Sequence, residues 1–464
     1  MKAMLSHAGT PGLAMTLGAV LPLAIPAIFE QILVTMVQYV DAAMVGSLGA
    51  VATAAVGLTA SSTWFIGGIL SAVAVGFSVQ VAQYVGAGEL ERARSVVGQG
   101  IRFALLFGLA VGLAAFALSW PLPHWLGADT EVAPPAAVYF RIVACAVPFN
   151  LLSQLLGASI RCAGDAKTPL LLNIGMNLLH VILNWLLIYS SRTVTLGSFS
   201  FVVRGAGMGV QGAAVASAVS IAALSGAYVL VLRRKKSLLR PQKGDDNRLS
   251  PRVLSRVWRV GFPIALERSL TSLAQIVITG VISSIGTAAV AANHLAVTAE
   301  SLSYMPAYGL AAAATALTGQ AVGANRPDIA KRCSSLVVWM GVGAMTAGGV
   351  LLYVLSTPLI RLFTPDPEVI RLGSEALRIV AFAEPFFAMS IVITGVLRGA
   401  GDTKVPFLIN LATMWGVRIT LSLLLYRPLG LRGVWLAMAA ELGVRGILFY
   451  LRLLRGKWLR NRLI

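Results

Sequence analysis

The sequence predicts an all-α integral membrane protein with twelve transmembrane helices, arranged in two six-helix lobes that a pseudo-two-fold axis along the membrane normal relates. Three observations lead to this fold class. The 464-residue chain is 57% hydrophobic and only 12% charged, which is about half the charged fraction of a soluble globular protein. Its apolar runs reach about 20 residues, the length at which a helix crosses a bilayer. The third observation is an internal repeat.

The repeat organises the whole chain. One constant offset aligns the two halves without gaps over a long span, and chance does not keep one register that long. The aligned pairs include Pro26 with Pro263, Glu30 with Glu267, Gln83 with Gln320, Asp129 with Asp366, and Pro148-Phe149 with Pro385-Phe386. The second half is then shorter in one outer loop, and the alignment resumes at 209–212 and 430–433. Each copy holds an even number of helices, so both share one membrane orientation, which predicts two lobes around a cavity.

The predicted helices follow from counting apolar runs between polar breaks. They lie near residues 17–43, 52–84, 95–120, 132–157, 169–190, 209–232, 255–283, 288–320, 333–355, 371–396, 405–426 and 430–454. The first six make an N-lobe over 1–232, the last six make a C-lobe over 255–464, and a basic linker over 233–254 joins them. The first apolar run continues past a signal-peptide core without a clear cleavage site, so we expect it to remain as a helix.

The charge distribution indicates a membrane location and argues against a nucleic-acid partner. The net charge is +19 at pH 7. Basic residues crowd the linker and the C-terminal tail: Arg233, Arg234, Lys235, Lys236, Arg240, Lys243, Arg248, Arg252, Arg452, Arg455, Lys457, Arg460 and Arg462. Basic loops beside apolar helices stay in the cytoplasm, where anionic lipids attract them. We therefore expect a multi-pass protein of the bacterial inner membrane with both termini in the cytoplasm.

The sequence lacks the motifs of several classes of enzyme and metal site. The cysteines Cys145, Cys162 and Cys333 are few and lie in apolar or cytoplasmic segments, so they predict neither a disulfide framework nor a metal site. The chain has no HExxH motif, no paired His-Asp cluster and no phosphate-binding glycine loop with a lysine. We therefore expect no enzyme activity, no cofactor and no direct use of ATP. An intramembrane enzyme or a channel is a weak alternative.

The first predicted helix carries two acids in an apolar stretch. Glu30 and Asp41 are about three helical turns apart, so they fall on nearly the same face. A carboxylate in hydrocarbon is costly, so it normally faces a wet cavity or a bundle interior and marks an ion or substrate path. Pro22 and Pro26 remove backbone donors and predict a bend below both acids. A bent helix with a titratable group above the bend suggests a switch, and we assign that role to Pro26.

A short polar motif occurs twice, as RCAGDAKTP at Arg161–Pro169 and as RGAGDTKVP at Arg398–Pro406. Glycine permits a turn, aspartate caps a helix, and proline suits the first turn of the next helix. Turn chemistry therefore explains each residue type. The motif predicts a structural loop with Arg–Asp pairing at the cytoplasmic face of each lobe.

The joint order of these features resembles a known family. Pro26 and Asp41 of the first helix precede VGSLG at 45–49, and GAAVAS stands at 212–217. With the paired loops and two copies of six helices, this pattern resembles the multidrug and toxic compound extrusion (MATE) family of cation-coupled antiporters. The resemblance implies export of small amphipathic, cationic organic compounds in exchange for H+ or Na+, which the two lobes carry out by alternating access. We expect the protein to be a monomer. The alternative is a flippase or exporter of a lipid-linked or dedicated metabolite substrate, which several cavity Arg or Lys residues would favour.

The resemblance points to a cation-coupling site in the first lobe. Asp41 stands where prokaryotic members place the first-helix acid. The fifth helix carries polar residues that share one face: Asn173, Asn177, His180 and Asn184. Members with a first-lobe cation site supply an Asn and then an acid from this helix, at positions that here are His180 and Asn184, and a hydroxyl at the position of Ser217. Sodium at Asp41, Asn184 and Ser217 and proton coupling through His180 both stay open, as does a purely interhelical hydrogen-bonding role for His180.

The second lobe differs chemically from the first. Ile278 replaces the Asp41 counterpart, and the acids that some family branches use there correspond to Thr271 and Phe387. Glu300, with Tyr304 one turn on, is the best second-lobe candidate to meet a cationic substrate, and Trp64 is a candidate for stacking on it. Arg418 is a cavity candidate or neutralises a nearby acid. Glu441 has Arg445 one turn on, which predicts an ordinary helical ion pair. For the repeated acid Glu30, cavity function and a symmetric structural role stay open.

Overall fold

A computed structural model describes residues 2–5, 11–196, 199–234, 237–242 and 244–464. Its twelve long helical spans are labelled α1 to α12 in chain order. They are Leu13–Gly46, Ala50–Gly86, Leu90–Ala117, the pair Ala133–Cys145 and Val147–Cys162, Lys167–Leu187, Val210–Leu232, Pro251–Ser283, Thr287–Gly323, Pro327–Val354, the pair Pro367–Ala381 and Glu384–Ala400, Lys404–Leu429, and Leu431–Leu454. Short helices cover Lys2–Leu5, Pro121–Trp125, Ser356–Arg361 and Lys457–Arg460. Lys235, Lys236 and Lys243 of the predicted linker lie outside the described residues.

The twelve-helix prediction is confirmed. Nine of the described helices are long and apolar enough to cross a membrane, and the two bent pairs raise the number to eleven. The twelfth span is α8, which has 37 residues. Several helices begin earlier than predicted, because hydropathy marks the apolar part of a helix and not its polar first turn. Thus α9 begins at Pro327 rather than near 333, with the proline at a position where its missing N–H is not needed.

The bent helices, α4 and α10, occupy the same place in the two lobes. Their halves meet at angles of 48° and 61°, respectively. Pro148 and Pro385, which the repeat aligns, lie in the first turn of the second half of each pair. Proline has no backbone N–H and clashes with the preceding turn, so each breaks the helix that the apolar run predicted as one. By contrast, α1 is one unbroken helix in spite of Pro22 and Pro26 inside it, so the bend expected there does not interrupt the helix.

The all-α prediction missed one element. Strands β1, Ser190–Leu196, and β2, Phe199–Ala206, form an antiparallel hairpin between α5 and α6. The hairpin falls in the outer loop that is shorter in the second half of the chain. The first strand carries Thr and Val and the second carries Phe and Val, residue types that favour strands, so the signal was present in the sequence.

The two lobes meet in a symmetric crossing of α2 and α8. A Cβ atom at Gly86 would overlap the backbone of Gln320, and one at Gly323 would overlap the backbone of Gln83. Gln83 Nε2 donates a hydrogen bond of 3.2 Å to the Gly399 carbonyl. Gln320 Nε2 donates one of 2.7 Å to the carbonyl of Cys162, the repeat counterpart of Gly399. Because each contact has its repeat-related partner, the two-fold relation read from the sequence is present in the packing.

Candidate substrate and cation site

A cavity of about 630 Å³ lies between the first lobe and α7 of the second. Its lining includes Asp41, Trp64, Asn177, His180, Ser217 and Arg268. The helices α1, α2, α4, α5 and α6 supply most of the wall, and α7 closes it from the other lobe. The volume is within the range typical of sites for drug-sized ligands.

The polar residues predicted from the first and fifth helices converge at one wall. Asn184 Nδ2 donates a hydrogen bond of 2.7 Å to Asp41 Oδ1. His180 Nε2 lies 3.7 Å from the same oxygen and 3.0 Å from Ser217 Oγ. Asp41 keeps 22% of its side chain exposed, so water or a ligand in the cavity reaches the carboxylate. We call Asp41, His180, Asn184 and Ser217 the coupling cluster.

Two amides, one in this cluster and one beside it, keep unused bonding capacity. Asn184 is fully buried, and its Oδ1 has no hydrogen-bond partner among the described residues. Asn177, one turn before His180, lines the cavity, and neither atom of its amide group has a partner there. A buried polar atom without a partner costs about 1–3 kcal/mol. These atoms therefore favour an ion, a water molecule or a substrate as their native partner.

Glu30 does not join the coupling cluster. Arg161 Nη1 lies 2.5 and 2.7 Å from its two carboxylate oxygens, and Asn173 Nδ2 donates a bond of 3.0 Å to it. In the second lobe Arg398 lies 3.5 Å from Glu267, and Asn410 donates to that acid at 2.8 Å. The pattern recurs in both lobes, which favours the structural interpretation of the repeated acids.

The predicted Arg–Asp pairing inside the repeated loop is wrong. Arg161 reaches the first helix instead, while Asp165 accepts bonds from the backbone N–H and the hydroxyl of Thr168. In the second lobe Asp402 pairs with Arg452 of α12 at 2.5 Å. The reason is geometric, because the arginine lies in the last turn of one helix and reaches the first helix of its lobe more easily than the turn beyond it.

Three residues predicted for the substrate cavity lie elsewhere. Glu300 is 1% exposed, and Arg418 is buried in a π-helical segment of α11, with Nη2 at 3.1 Å from Met438 Sδ. Tyr304 packs edge-on against Phe387. None of the three is among the described residues that line the 630 Å³ cavity. Glu300 and Arg418 are buried within the second lobe, and Tyr304 is half-buried.

Two further acids complete that second-lobe interior. Glu384 is fully buried and accepts a bond of 2.7 Å from Ser303. Glu441 is also fully buried, and Arg445 lies 3.2 Å from it, so the predicted helical ion pair is present. None of these acids is among the described residues that line the cavity, and Glu300 Oε1, Glu384 Oε1 and both oxygens of Glu441 are buried without a hydrogen-bond partner among those residues.

Arg268 is the charged residue of the described cavity lining that sequence reasoning missed. It follows the repeated acid Glu267, and the same offset aligns it with Gln31 of the first lobe. A signal was therefore available, because the repeat places a charged residue in one lobe opposite a neutral one in the other. Trp64 is 73% exposed and lines the cavity as predicted.

Comparisons with known proteins agree on one family. The family model described as MatE matches residues 26–186 and 263–424, one copy in each lobe. The chain is 28% identical over 443 residues to the "Probable multidrug resistance protein NorM" of Thermotoga maritima, covering 94% of this chain and 92% of that protein. It is 27% identical to the "Probable multidrug resistance protein YoeA" of Bacillus subtilis, covering 92% and 91%.

Solved structures have the same fold as this chain. A structure described as "Outward-facing conformation of a multidrug resistance MATE family transporter of the MOP superfamily" matches with a TM-score of 0.87 at 22% identity, covering 96% of this chain and 97% of that one. The family match covers both lobes and most of the chain. The chain therefore belongs to the MatE family, the multidrug and toxic compound extrusion transporters.

Proposed function

We propose that the chain is a secondary active antiporter that exports amphipathic organic compounds with a cationic group, in exchange for H+ or Na+, by alternating access of its two lobes. The observation that carries the proposal is the coupling cluster, whose Asp41, His180 and Ser217 line an interlobe cavity. A carboxylate inside a membrane helix is costly unless it meets water, a partner or a transported ion. The relatives named as probable multidrug resistance proteins support the same class of transport.

We place the proton ahead of sodium as the coupling ion. Sodium prefers carboxylate, carbonyl and hydroxyl oxygens, and imidazole nitrogen is a poor ligand for such a hard cation. Here an imidazole nitrogen stands 3.7 Å from Asp41 and 3.0 Å from the hydroxyl of Ser217, close to both oxygens that a sodium ion would use. A proton that reaches Asp41 removes the charge that attracts a cationic substrate, which makes the two ligands compete.

The amide of Asn184 can serve both protonation states of Asp41. Its Nδ2 donates to the carboxylate, and its Oδ1 has no partner. A protonated carboxyl group is itself a donor and needs an acceptor. Rotating the amide by half a turn offers Oδ1 to that new hydroxyl. The cluster therefore keeps a hydrogen bond whether or not the proton is bound.

The membrane setting is part of the proposal. Basic residues that the structure describes, such as Arg233, Arg455 and Arg460, stand at the same end of the lobes as the crossing of α2 and α8. The positive-inside rule then assigns that end to the cytoplasm of a bacterial inner membrane, with both termini on the same side. We propose a monomer with its N-lobe over 1–232 and its C-lobe over 255–464. The segment 233–254 links them, and α7 begins within it at Pro251.

The experiment is ion-driven transport in proteoliposomes. Purified wild-type protein is expected to transport ethidium when an imposed pH gradient supplies the driving force. Asp41→Asn is expected to abolish the gradient-driven transport, because it removes the titratable group. Asp165→Asn is the matched control, since Asp165 is an exposed carboxylate in a loop. A sodium gradient that drives transport when a pH gradient does not would reverse the choice of ion. Wild-type rates from Asp41→Asn would remove Asp41 from the mechanism.

The flippase alternative has weaker support. A polyanionic lipid-linked substrate needs several cationic side chains in the cavity, and among the described lining residues Arg268 is the single arginine, with no lysine. Arg418, the arginine expected there, packs in the second-lobe interior. Binding of a lipid-linked sugar together with a failure to move any dye would favour this alternative.

A further inference from the structure

A second cavity, of about 550 Å³, lies at one end of the C-lobe, where the turn between α8 and α9 meets the tail that follows α12. Its lining is strongly basic, and no acidic side chain is among the described residues that form it. We call this cavity the basic pocket, after its five cationic residues Arg326, Lys331, Arg455, Lys457 and Arg460. The proposed orientation places this end at the cytoplasmic surface of the membrane.

Contacts within the protein hold both walls of the basic pocket in place. On the tail side, Gly456 turns the chain back after α12 with a φ of +65°, a conformation that glycine adopts without strain. Trp458 is then 1% exposed, and its Nε1–H donates a hydrogen bond of 3.0 Å to the Leu453 carbonyl. On the opposite side, Arg326 donates to both carboxylate oxygens of Asp328, at 3.0 and 2.7 Å. The pocket is therefore a defined part of the fold.

Most of the positive charge in the basic pocket has no counter-charge. Arg326 pairs with Asp328. The other four cations have no ion-pair partner in the part of the chain that the structure describes: Lys331, Arg455, Lys457 and Arg460. A Cβ atom on Gly456 would stand 4.0 Å from Lys331 Cε, so the α9 and tail sides of the pocket lie close together. Gathered like charges repel one another, and an anion bound among them relieves this repulsion.

Apolar surface continues from the basic pocket along the two helices that flank it. Leu451 and Leu454, in the last turn of α12, are 45% and 63% exposed. Trp339 of α9 is 52% exposed and contacts Tyr450 of α12 edge-on, with the ring centroids 6.4 Å apart. The two helices thus share an apolar face on the membrane side of the cations. A ligand that suits both regions has an anionic head and a hydrocarbon tail.

We propose that the basic pocket binds the phosphate headgroup of an anionic phospholipid from the surrounding bilayer, with the acyl chains of the lipid along α9 and α12. Arginine binds a phosphate through paired hydrogen bonds, and lysine binds it as a point charge. Basic pockets beside transmembrane helices at the cytoplasmic surface suit such headgroups. A free phosphate has the same chemistry but makes no use of the apolar face. The lipid site has no described residue in common with the interlobe cavity.

A matched pair of lipids tests the proposal. Purified full-length protein in a neutral detergent is titrated with dioleoyl phosphatidylglycerol or with dioleoyl phosphatidylcholine, and native mass spectrometry gives the affinity for the first lipid bound. Wild type is expected to bind the anionic phosphatidylglycerol more tightly. The double variant Arg455→Gln with Arg460→Gln is expected to lower the ratio of the two affinities by about tenfold, the loss typical of a charge-assisted hydrogen bond.

A control variant of the same net charge separates a site from general attraction to a basic surface. Arg332 of α9 and Arg462 of the tail are exposed arginines close in sequence to the pocket residues, and neither lines the pocket. The double variant Arg332→Gln with Arg462→Gln is expected to keep the wild-type ratio of affinities. An equal fall in both double variants would mean that the lipid responds to overall charge, and it would overturn the proposal.

Soluble anions distinguish a lipid from a free phosphate. Inorganic phosphate and glycerol 3-phosphate carry the anionic group without acyl chains, so neither is expected to displace bound phosphatidylglycerol at an equal concentration. Displacement by either one would overturn the assignment to a lipid, as would equal affinities of wild type for the two lipids. Asp41→Asn is expected to bind phosphatidylglycerol as wild type does, so the result does not depend on the proposed transport function.

Discussion

Asn184, the residue that donates to Asp41, is the basis on which we propose the proton as the coupling ion. The resemblance to the MATE family implies an acid where this chain has Asn184, and the amide donates to Asp41 at 2.7 Å. An amide adds no negative charge, so a single carboxylate faces the cavity at this point. A lone carboxylate is enough for a proton, whereas a sodium ion needs several oxygen ligands.

Asn184→Asp is expected to create sodium binding. The second carboxylate would stand beside Asp41 and near the hydroxyl of Ser217. A bound cation would reduce the repulsion between the two like charges. Sodium at ten times its dissociation constant would then stabilise the variant by about 1.4 kcal/mol. The measurement is the melting temperature of purified protein in sodium against potassium salts.

Two comparisons control that experiment. Wild type is expected to melt at the same temperature in both salts, and the double variant Asp41→Asn with Asn184→Asp is expected to lose the sodium response. A sodium response already present in wild type would contradict the preference for the proton. No response in Asn184→Asp would show that the cluster cannot assemble an oxygen site.

At the scale of elements, the repeated loop connects the first helix of each lobe to the end of the fourth or tenth helix. In the N-lobe both carboxylate oxygens of Glu30 accept hydrogen bonds from Arg161. In the C-lobe Glu267 lies 3.5 Å from Arg398, and Glu267 Oε2 has no hydrogen-bond partner among the described residues. The acid–arginine contact is therefore tighter in the N-lobe, which carries the coupling cluster, than in the C-lobe. A firmly held α1 keeps Asp41 at the cavity wall.

Glu30→Gln is expected to lower the stability of the protein. It leaves the Arg161 charge in a site where only 20% of its side chain is exposed. We expect a loss of about 2 kcal/mol, less than for a fully buried pair because both side chains keep some contact with water. The check is the melting temperature in detergent, with Glu267→Gln as the matched variant and a smaller expected fall. An unchanged melting temperature of Glu30→Gln would contradict the structural role and make Glu30 a candidate cavity residue again.

At the scale of the whole molecule, the crossing of α2 and α8 joins the lobes at the predicted cytoplasmic side. The crossing of α2 and α8 is symmetric, but the C-terminal tail adds a contact to one half of it. The Leu463 N–H donates a bond of 2.9 Å to Gln83 Oε1, and the Leu463 side chain is 6% exposed. The tail therefore covers the seam that must open if the cavity is to face the cytoplasm.

Removing residues 461–464 is expected to favour opening on that side. Cys162 reports it, because the residue is buried with Ala82 and Ala316 at the interface of the lobes. In a Cys145→Ser, Cys333→Ser background, a membrane-impermeant maleimide should label Cys162 faster after truncation than before it. Labelling in denaturant gives the full extent for both proteins. An unchanged rate would mean that the tail does not hold the lobes together.

Much of this protein follows from sequence alone. The twelve spans follow because hydropathy is a local property that the bilayer enforces, and the pseudo-two-fold follows because the repeat preserves register. The residues of the coupling cluster were identified because His180 and Asn184 share a helix face and because the resemblance pointed to Asp41 and Ser217. These predictions needed no knowledge of how one helix is rotated against another.

Other features depended on the tertiary structure. Spacing along a helix does not tell which face meets the other lobe, so it misplaced Arg418 and Glu300 and overlooked Arg268. The partner of Arg161 is distant in sequence, and only the tertiary fold brings the two charges to 2.5 Å. Helix periodicity shows which residues share a face. What that face contacts depends on how the helices rotate and cross, and side-chain packing between the lobes decides this.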